Sequence, residues 1–128
     1  MIFGIGIDTI EVARIKEAIL TYGSQFIDRI YSEHEKAYCT DRLRQYEHFA
    51  ARFAAKEAFA KALGTGVRRG FRWKEVTVRN AVSGKPEIEL LGSMVERVST
   101  LVKAEFRIEL SITHTVEIAE AIAVIEII

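Results

Sequence analysis

The acid Glu57 lies on the apolar face of a predicted helix, where a charged side chain is unexpected. The segment FAARFAAKEAFAKAL, from Phe49 to Leu63, consists mostly of strong helix formers. On a helical wheel, Phe49, Phe53 and several alanines form one apolar stripe, and Glu57 falls near its middle. A carboxylate directed into apolar packing is costly unless it is paired, protonated or bound to a metal ion. Glu57 is therefore a candidate for either an ion pair or a catalytic role.

Two interpretations of Glu57 follow from its neighbours. In the first, Lys61 lies one helical turn further on and pairs with Glu57. In the second, Asp8 at the end of the first predicted strand adds a carboxylate, and two carboxylates from separate segments suit Mg²⁺, which leaves positions for substrate phosphates. Asp8 itself has a structural alternative, since Asp8-x-x-Glu11 matches a helix capping box.

Basic residues and glycines surround these candidates in the sequence. Arg52 and Lys56 lie on an adjoining face of the predicted helix, and a Gly64-Thr65-Gly66 turn follows it. Further cations are Arg68, Arg69, Arg72, Lys74 and Lys85. Each one alone fits a solvated loop charge, but together they predict a phosphorylated ligand, because glycines allow close backbone approach and cations neutralise phosphate. His114, flanked by Thr113 and Thr115, has either a structural or a phosphate-binding role.

Composition excludes several classes of protein. The chain has 128 residues, 49% of them hydrophobic, and its 18 basic and 18 acidic residues cancel. We therefore expect one folded domain spanning residues 1–128 and no bulk binding of nucleic acid. The single Cys39 excludes an internal disulfide framework and predicts a reducing, cytoplasmic location. The start MIFGIGID does not fit a signal peptide, and no apolar run is long enough to span a membrane.

Hydrophobic periodicity predicts helices in the first half of the chain and strands in the second. A short strand, with Gly4 and Gly6 at crowded positions, precedes the helices. The expected elements are a strand at Ile2–Ile7, helices at Thr9–Leu20, Ser24–Tyr31, after the Ser32-x-x-Glu35 capping box and at Tyr46–Leu63, strands at Glu75–Arg79 and Glu87–Leu91, a helix capped by Ser93, and strands at Phe106–Ile112 and Ile118–Ile127. This order is typical of the α+β class.

Three segments together resemble the holo-[acyl-carrier-protein] synthases, the short 4′-phosphopantetheinyl transferases. They are GIGIDTIEVARI near the start, FAARFAAKEAFAKALGTG in the middle and LSITHT near the end. The loop GFRWKEVTV and the turn SGKP are also similar to the family, so the resemblance covers essentially the full chain. It implies a small antiparallel sheet packed on a long central helix, and homotrimers with active sites between subunits.

The resemblance also implies roles for individual residues. Asp8 and Glu57 would be the Mg²⁺ ligands, and Lys61 would lie beside the reacting phosphates. Arg14 on the first helix would contact the acidic carrier protein. The residues implied to bind coenzyme A are Arg52, Gly64, Gly66, Lys85, Pro86, His114 and Thr115. Relatives often carry several basic residues along the first helix, whereas here Arg14 and Lys16 alternate with Glu11 and Glu17.

The implied reaction moves 4′-phosphopantetheine from coenzyme A to a serine of apo-acyl carrier protein in support of fatty acid biosynthesis, and it releases adenosine 3′,5′-bisphosphate. Either Glu57 or a metal-bound water accepts the serine proton. Two other functions use the same residues. One is a Mg²⁺-dependent pyrophosphate hydrolase, and the other is a non-catalytic oligomeric binding module in which Glu57 and Lys61 form an interface ion pair.

Overall fold

The computed structural model describes residues 1–128 and contains helices and antiparallel strands, which confirms the α+β class. The elements in chain order are β1 (Ile2–Glu11), α1 (Val12–Tyr22), α2 (Ser24–Ile30), α3 (Glu33–Thr40), α4 (Gln45–Leu63), β2 (Val76–Asn80), β3 (Pro86–Leu90), α5 (Ser93–Val102), β4 (Phe106–His114) and β5 (Ile118–Ile127), with a 3-10 turn at Trp73–Glu75. None of the helices combines the length and the apolar character that crossing a membrane requires.

The central helix α4 lies against a three-stranded antiparallel sheet of order β1-β5-β4. Strand β1 touches the helix backbone itself, since a Cβ on Gly6 would lie 1.9 Å from the Ala58 carbonyl oxygen. A Cβ on Gly4 would lie equally close to the Ala62 carbonyl oxygen, at 1.9 Å. The predicted crowding at both glycines is confirmed. Their absent side chains let β1 run close beside the helical turns that carry Glu57 and Lys61.

Helix α4 is buried on most of its circumference, because further elements cover the sides that the sheet leaves free. One hydrophobic cluster joins α4 to the sheet, to the β2–β3 hairpin and to α5, with Phe59, Val78 and Met94 fully buried. A second cluster joins the first turns of α4 to α1, α2 and α3. The helix is thus anchored over its whole length, so side chains on its few open faces hold fixed positions.

The first strand is longer than the sequence predicted, and this overturns one interpretation of Asp8. Strand β1 continues to Glu11, and Asp8 lies opposite Ala121 of β5. Helix α1 begins only at Val12, and no side chain caps its start. The capping-box interpretation of Asp8 is therefore wrong. The pairing of β1 with β5 continues past Asp8. The backbone of Asp8 therefore belongs to the sheet and not to the start of a helix.

Of three other helix boundaries, two follow the sequence rules and one does not. The capping box at Ser32 and Glu35 is present, and α4 ends at Gly64 with φ of 86°, as predicted. Ser93, by contrast, does not cap α5. Gly92 occupies the cap position, and the Ser93 hydroxyl donates instead to the Glu75 carboxylate at 2.6 Å.

Candidate active site

Asp8, Glu57 and Lys61 line one cavity of about 470 Å³ between β1, α1 and α4. Strand β1 supplies Asp8, which faces α4 because its partner Ala121 is buried on that side of the sheet. Glu57 and Lys61 are four residues apart on α4 and therefore project from one helix face. The structure thus brings together the three residues predicted from sequence to do chemistry.

Lys61 pairs with the strand rather than with its helical neighbour. Its Nζ donates to the Ile7 carbonyl oxygen at 2.9 Å and to Asp8 Oδ1 at 3.3 Å. Glu57 makes no ion pair or side-chain hydrogen bond. The predicted Glu57–Lys61 pair is therefore wrong, because the close approach of β1 gives the lysine better acceptors. Glu57 keeps a carboxylate without a partner at the wall of a cavity.

Both carboxyl groups are destabilised in their charged form. Burial raises the pKa of Asp8, and the hydrogen bond from Lys61 only partly opposes this. Burial raises the pKa of Glu57 as well, and the nearby charge of Asp8 raises it further. Two carboxylates therefore share the charge of a single lysine. This donor set fits a hard divalent cation such as Mg²⁺, which takes one or two protein carboxylates and completes its shell with water and phosphate oxygens.

The rest of the lining of this cavity is partly charged and partly apolar. Arg14 and Ile15 of α1 line it, and the rings of Phe26 and Phe53 form an apolar part of its wall. The structure thus places Arg14, predicted to contact a protein partner, in the lining of the same cavity as Asp8. A substrate group that enters this cavity meets both carboxylates and apolar rings.

A second, smaller cavity of about 170 Å³ collects residues predicted to bind coenzyme A. Its lining includes Arg52, Pro86 and His114. Arg52 is 4% exposed, donates to Asn80 Oδ1 at 3.0 Å and stacks over the Tyr38 ring at 4.1 Å. Its Nε is buried without a hydrogen-bond partner, so one donor of the guanidinium remains free.

His114 is held beside this guanidinium by an acid that sequence reasoning missed. Its Nδ1 lies 2.9 Å from Glu47 Oε1. The His48 ring stands edge-on to it, with ring centroids 5.1 Å apart. Glu47 and His48 lie in the first turn of α4, and His48 precedes Arg52 by four residues, a spacing that places the side chains of His48 and Arg52 on one helix face. An arginine and two imidazoles in one cavity form a pocket suited to an anion.

The two cavities lie on opposite sides of α4. Glu57 and Lys61 line the first, whereas His48 and Arg52 line the second. Arg52 and Glu57 are five residues apart, a rotation of about 140° around the helix. Within one chain, the site residues predicted from sequence therefore form two separate groups.

The remaining predicted residues serve local structure in the chain. Thr115 Oγ1 accepts from the backbone N–H groups of Glu117 and Ile118 at 3.3 and 3.2 Å and so shapes the β4–β5 turn. Lys85 donates to Glu109 at 2.7 Å, which raises the pKa of Lys85. Gly64 and Gly66 both have positive φ, of 86° and 63°, and together end α4.

Lys56 has a different role from the one predicted. The sequence placed it among cations that surround a phosphate site, but its side chain is fully buried. Its Nζ donates to Glu35 Oε1 at 2.7 Å and to two backbone carbonyl oxygens, both at 2.8 Å. The four cations after Gly66 also stand apart from the carboxylates and line a separate cavity at residues 67–75.

An α+β fold in which two carboxylates share one lysine, with an arginine–histidine pocket on the other side of the same helix, fits an enzyme that acts on phosphorylated substrates. The family model of the 4′-phosphopantetheinyl transferase superfamily matches residues 4–114. A holo-[acyl-carrier-protein] synthase of Solibacter usitatus is 46% identical over 127 residues, which cover 98% of this chain and 99% of the relative.

Solved structures agree with the sequence comparison. Holo-[acyl-carrier-protein] synthase from Neisseria meningitidis superposes with a TM-score of 0.87 at 32% identity, covering 98% of this chain and 99% of its own. The enzyme from Bacillus anthracis, solved in complex with CoA (3′,5′-ADP), gives 0.81 at 36% identity, covering 100% and 99%. The chain therefore belongs to the 4′-phosphopantetheinyl transferase superfamily, in its holo-[acyl-carrier-protein] synthase family, and is a transferase.

Proposed function

We propose that the protein transfers 4′-phosphopantetheine from coenzyme A to a serine hydroxyl of apo-acyl carrier protein, with Mg²⁺ as cofactor. The observation that carries the proposal is the cavity in which Asp8, Glu57 and Lys61 meet, because its carboxylates lack sufficient positive charge. The family of the chain and the coenzyme A complex of a relative support the choice of substrate.

Asp8 and Glu57 are the proposed metal ligands. Burial raises the pKa of both carboxyl groups, so a cation that enters the cavity they line would stabilise both in their charged form. When bound there, Mg²⁺ supplies charge neutralisation for the pyrophosphate of coenzyme A.

Lys61 is proposed to act on the reacting phosphates. Its Nζ is half exposed and reaches into the cavity from a carbonyl and a carboxylate, so a phosphate oxygen can replace either acceptor. In the reaction, the serine oxygen forms a bond to phosphorus, the pyrophosphate P–O bond breaks, and the serine proton passes to Glu57 or to a water molecule. Adenosine 3′,5′-bisphosphate departs, and the Lys61 ammonium stabilises the charge that develops on its oxygen.

The second cavity is proposed to hold the remaining phosphate groups of coenzyme A. Arg52 offers a free buried donor there, and His114 is oriented by Glu47. Thr115 follows His114 at the end of β4, and Lys85 and Pro86 stand at the β2–β3 turn. Gly64 and Gly66 remain proposed contacts to the same substrate, since they leave the end of α4 open to close approach.

We propose that a complete active site forms between subunits of a homotrimer. Two observations support this: α4 separates the two groups of site residues, and the outer face of the sheet is apolar. Ile5, Ile7 and Ile122 on that face are 63%, 51% and 41% exposed, which is typical of a surface covered by another subunit.

Subunit complementation tests this arrangement. Asp8→Ala and His114→Ala damage different groups, so co-expressed chains can form sites that carry neither change. With random assembly we expect about a quarter of wild-type activity. A mixture no more active than the two variants apart would rule out shared sites.

Arg14 is the proposed contact to the carrier protein. It lines the cavity that holds Asp8, so a carrier bound at α1 would present its serine close to the carboxylates. We further propose that the reaction supports fatty acid biosynthesis in the cytoplasm and that residues 1–128 act as one domain.

The proposal is tested by incubating the protein with coenzyme A and Mg²⁺, with and without apo-carrier. We expect release of adenosine 3′,5′-bisphosphate only when carrier is present. Steady release without carrier would instead indicate a hydrolase with water as nucleophile. If the protein binds coenzyme A but releases nothing in either mixture, the chain is a binding module and the proposed function is wrong.

A further inference from the structure

Five cations of the chain line one cavity, and none of them has an ion-pair partner. The cavity has a volume of about 500 Å³ and is formed by residues 67–75 together with α2. Its basic residues, all exposed, are Arg29, Arg68, Arg69, Arg72 and Lys74. None of the five takes part in a salt bridge. We call this site the basic cavity.

The basic cavity contrasts with the rest of the surface. The chain has no net charge, and several exposed cations elsewhere are paired, as in Arg79–Glu89 at 2.7 Å and Lys85–Glu109 at 2.7 Å. The only acid that lines the basic cavity is Glu75, and its carboxylate already accepts from the Ser93 hydroxyl and the Met94 N–H. A local field of one sign is therefore left for an anionic partner to neutralise.

A row of aromatic rings joins the basic cavity to the cavity of Asp8 and Glu57. Phe53 stacks on Phe26 at 6.5 Å and on Trp73 at 5.2 Å, and Trp73 contacts Phe71 edge-on at 5.3 Å. Phe26 and Phe53 line the carboxylate cavity, whereas Phe71 and Trp73 line the basic cavity. A ligand lying along this row would touch both cavities at once.

The low net charge of the first helix favours such a second contact. Arg14 and Lys16 are its only cations, and Glu11 and Glu17 beside them cancel their charge. An acidic partner that carries its serine to the carboxylate cavity therefore meets little net attraction from α1 and needs positive charge elsewhere on the same side of the molecule. The basic cavity supplies it.

We propose that the basic cavity binds carboxylates of the acyl carrier protein while the aromatic row contacts its apolar surface and its serine enters the cavity of Asp8 and Glu57. This inference rests on the proposed function. A protein fits better than a polynucleotide, because aromatic rings beside arginines are typical of protein interfaces and the chain as a whole has no basic excess. On the opposite side of α4, Arg52 is the proposed contact to phosphate.

The test is the double variant Arg68→Glu/Arg72→Glu in a transfer assay at varied carrier and varied coenzyme A. We expect the KM for the carrier to rise roughly tenfold and to depend less on salt, because surface charges act mainly on association. The KM for coenzyme A should change by less than about twofold. The matched control is Arg79→Glu/Lys103→Glu, which makes the same charge change at exposed positions outside both cavities and off the outer face of the sheet, and it should leave both constants unchanged.

Each other outcome overturns the inference. A carrier KM equal to that of the control, in a variant whose melting temperature is unchanged, would show that the carrier does not use the basic cavity. A rise in the KM for coenzyme A alone would assign the cavity to that substrate. Loss of heparin binding with an unchanged carrier KM would assign it to another polyanion. Absence of transfer by the wild-type protein would overturn the proposed function itself.

Discussion

Lys56 and Glu57 are consecutive residues of α4, yet their surroundings differ completely. Lys56 is fully buried and donates to Glu35 and to the carbonyl oxygens of Ile30 and Trp73. These three hydrogen bonds use all the N–H donors of its ammonium group. Glu35 in turn accepts from the N–H groups of Ser32 and Val78. Glu57 is only half-buried, has no partner and faces a second carboxylate across a cavity.

This difference separates a structural charge from a functional one. A buried ion whose hydrogen bonds are all made holds parts of the fold together, here α3, α4 and β2. A carboxylate left without a partner makes the metal-free protein less stable, and such a site suits a ligand that supplies the missing charge. Burial alone does not distinguish the two roles, whereas the state of the hydrogen bonds does.

The largest effect is expected at the carboxylates. Asp8→Asn keeps the size of the side chain and its hydrogen-bonding oxygen but removes the charge proposed to hold Mg²⁺. We expect the rate of transfer at saturating Mg²⁺ to fall about 10³-fold, the upper end of what one lost electrostatic contact costs. The melting temperature should not fall. Full activity in this variant would remove Asp8 from the metal site.

For Lys56→Met we expect a loss of stability rather than a direct loss of catalysis, because the change leaves Glu35 buried without its cation. Breaking a buried pair in this way costs about 3–5 kcal/mol of unfolding free energy. Denaturant unfolding measures it, with Lys36→Met as the control, since Lys36 pairs with Asp28 at the surface and should matter far less. A Lys56→Met variant that is as stable as the wild type but has lost transfer would show that Lys56 has a functional role rather than a structural one.

Lys61 provides an intermediate case. Its side chain is 50% exposed and its contact to Asp8 is 3.3 Å long, so the pair adds little to folding. We expect Lys61→Met to lower kcat by roughly 10²-fold and to leave the melting temperature nearly unchanged. If the variant loses only stability, Lys61 is a structural partner of Asp8.

The smallest effect is a pH-dependent gain in stability on removing a charge. The pKa of Glu57 is raised above the usual 4.5 in the folded state, so ionisation destabilises the fold as the pH rises through that raised value. In chelator, Glu57→Gln should therefore melt at a higher temperature than the wild type near neutral pH. The gain should vanish below pH 4.5, where the carboxyl is protonated in both states. Added Mg²⁺ should stabilise the wild type only, and an equal response of both proteins would contradict the assignment.

Sequence patterns predicted well the features that depend on residues close together in the chain. The Ser32 capping box and the end of α4 at Gly64 depend on short-range geometry, and both are present. The α+β class followed from periodicity. Glu57 was also singled out correctly as an acid on an apolar face, and of its two interpretations the pairing with Lys61 was wrong.

Contacts between distant segments were beyond the reach of those patterns. Lys56 was counted among the cations of a phosphate site because its partner Glu35 lies 21 residues away on another helix. Asp8 matched a capping box because nothing local reveals that β1 continues along β5. Glu47 was missed because its contact with His114 spans 67 residues. Only the folded chain decides which charges meet.

Mass spectrometry of apo-carrier after incubation with coenzyme A and Mg²⁺ tests the central claim most directly, when wild type and Glu57→Gln are compared side by side. We expect the wild type to add about 340 Da to the carrier, the mass of the covalently attached arm. Glu57→Gln should leave the carrier mass unchanged over the same time although it is folded. Conversion at the wild-type rate by Glu57→Gln would contradict the view that this unpaired carboxylate carries the function.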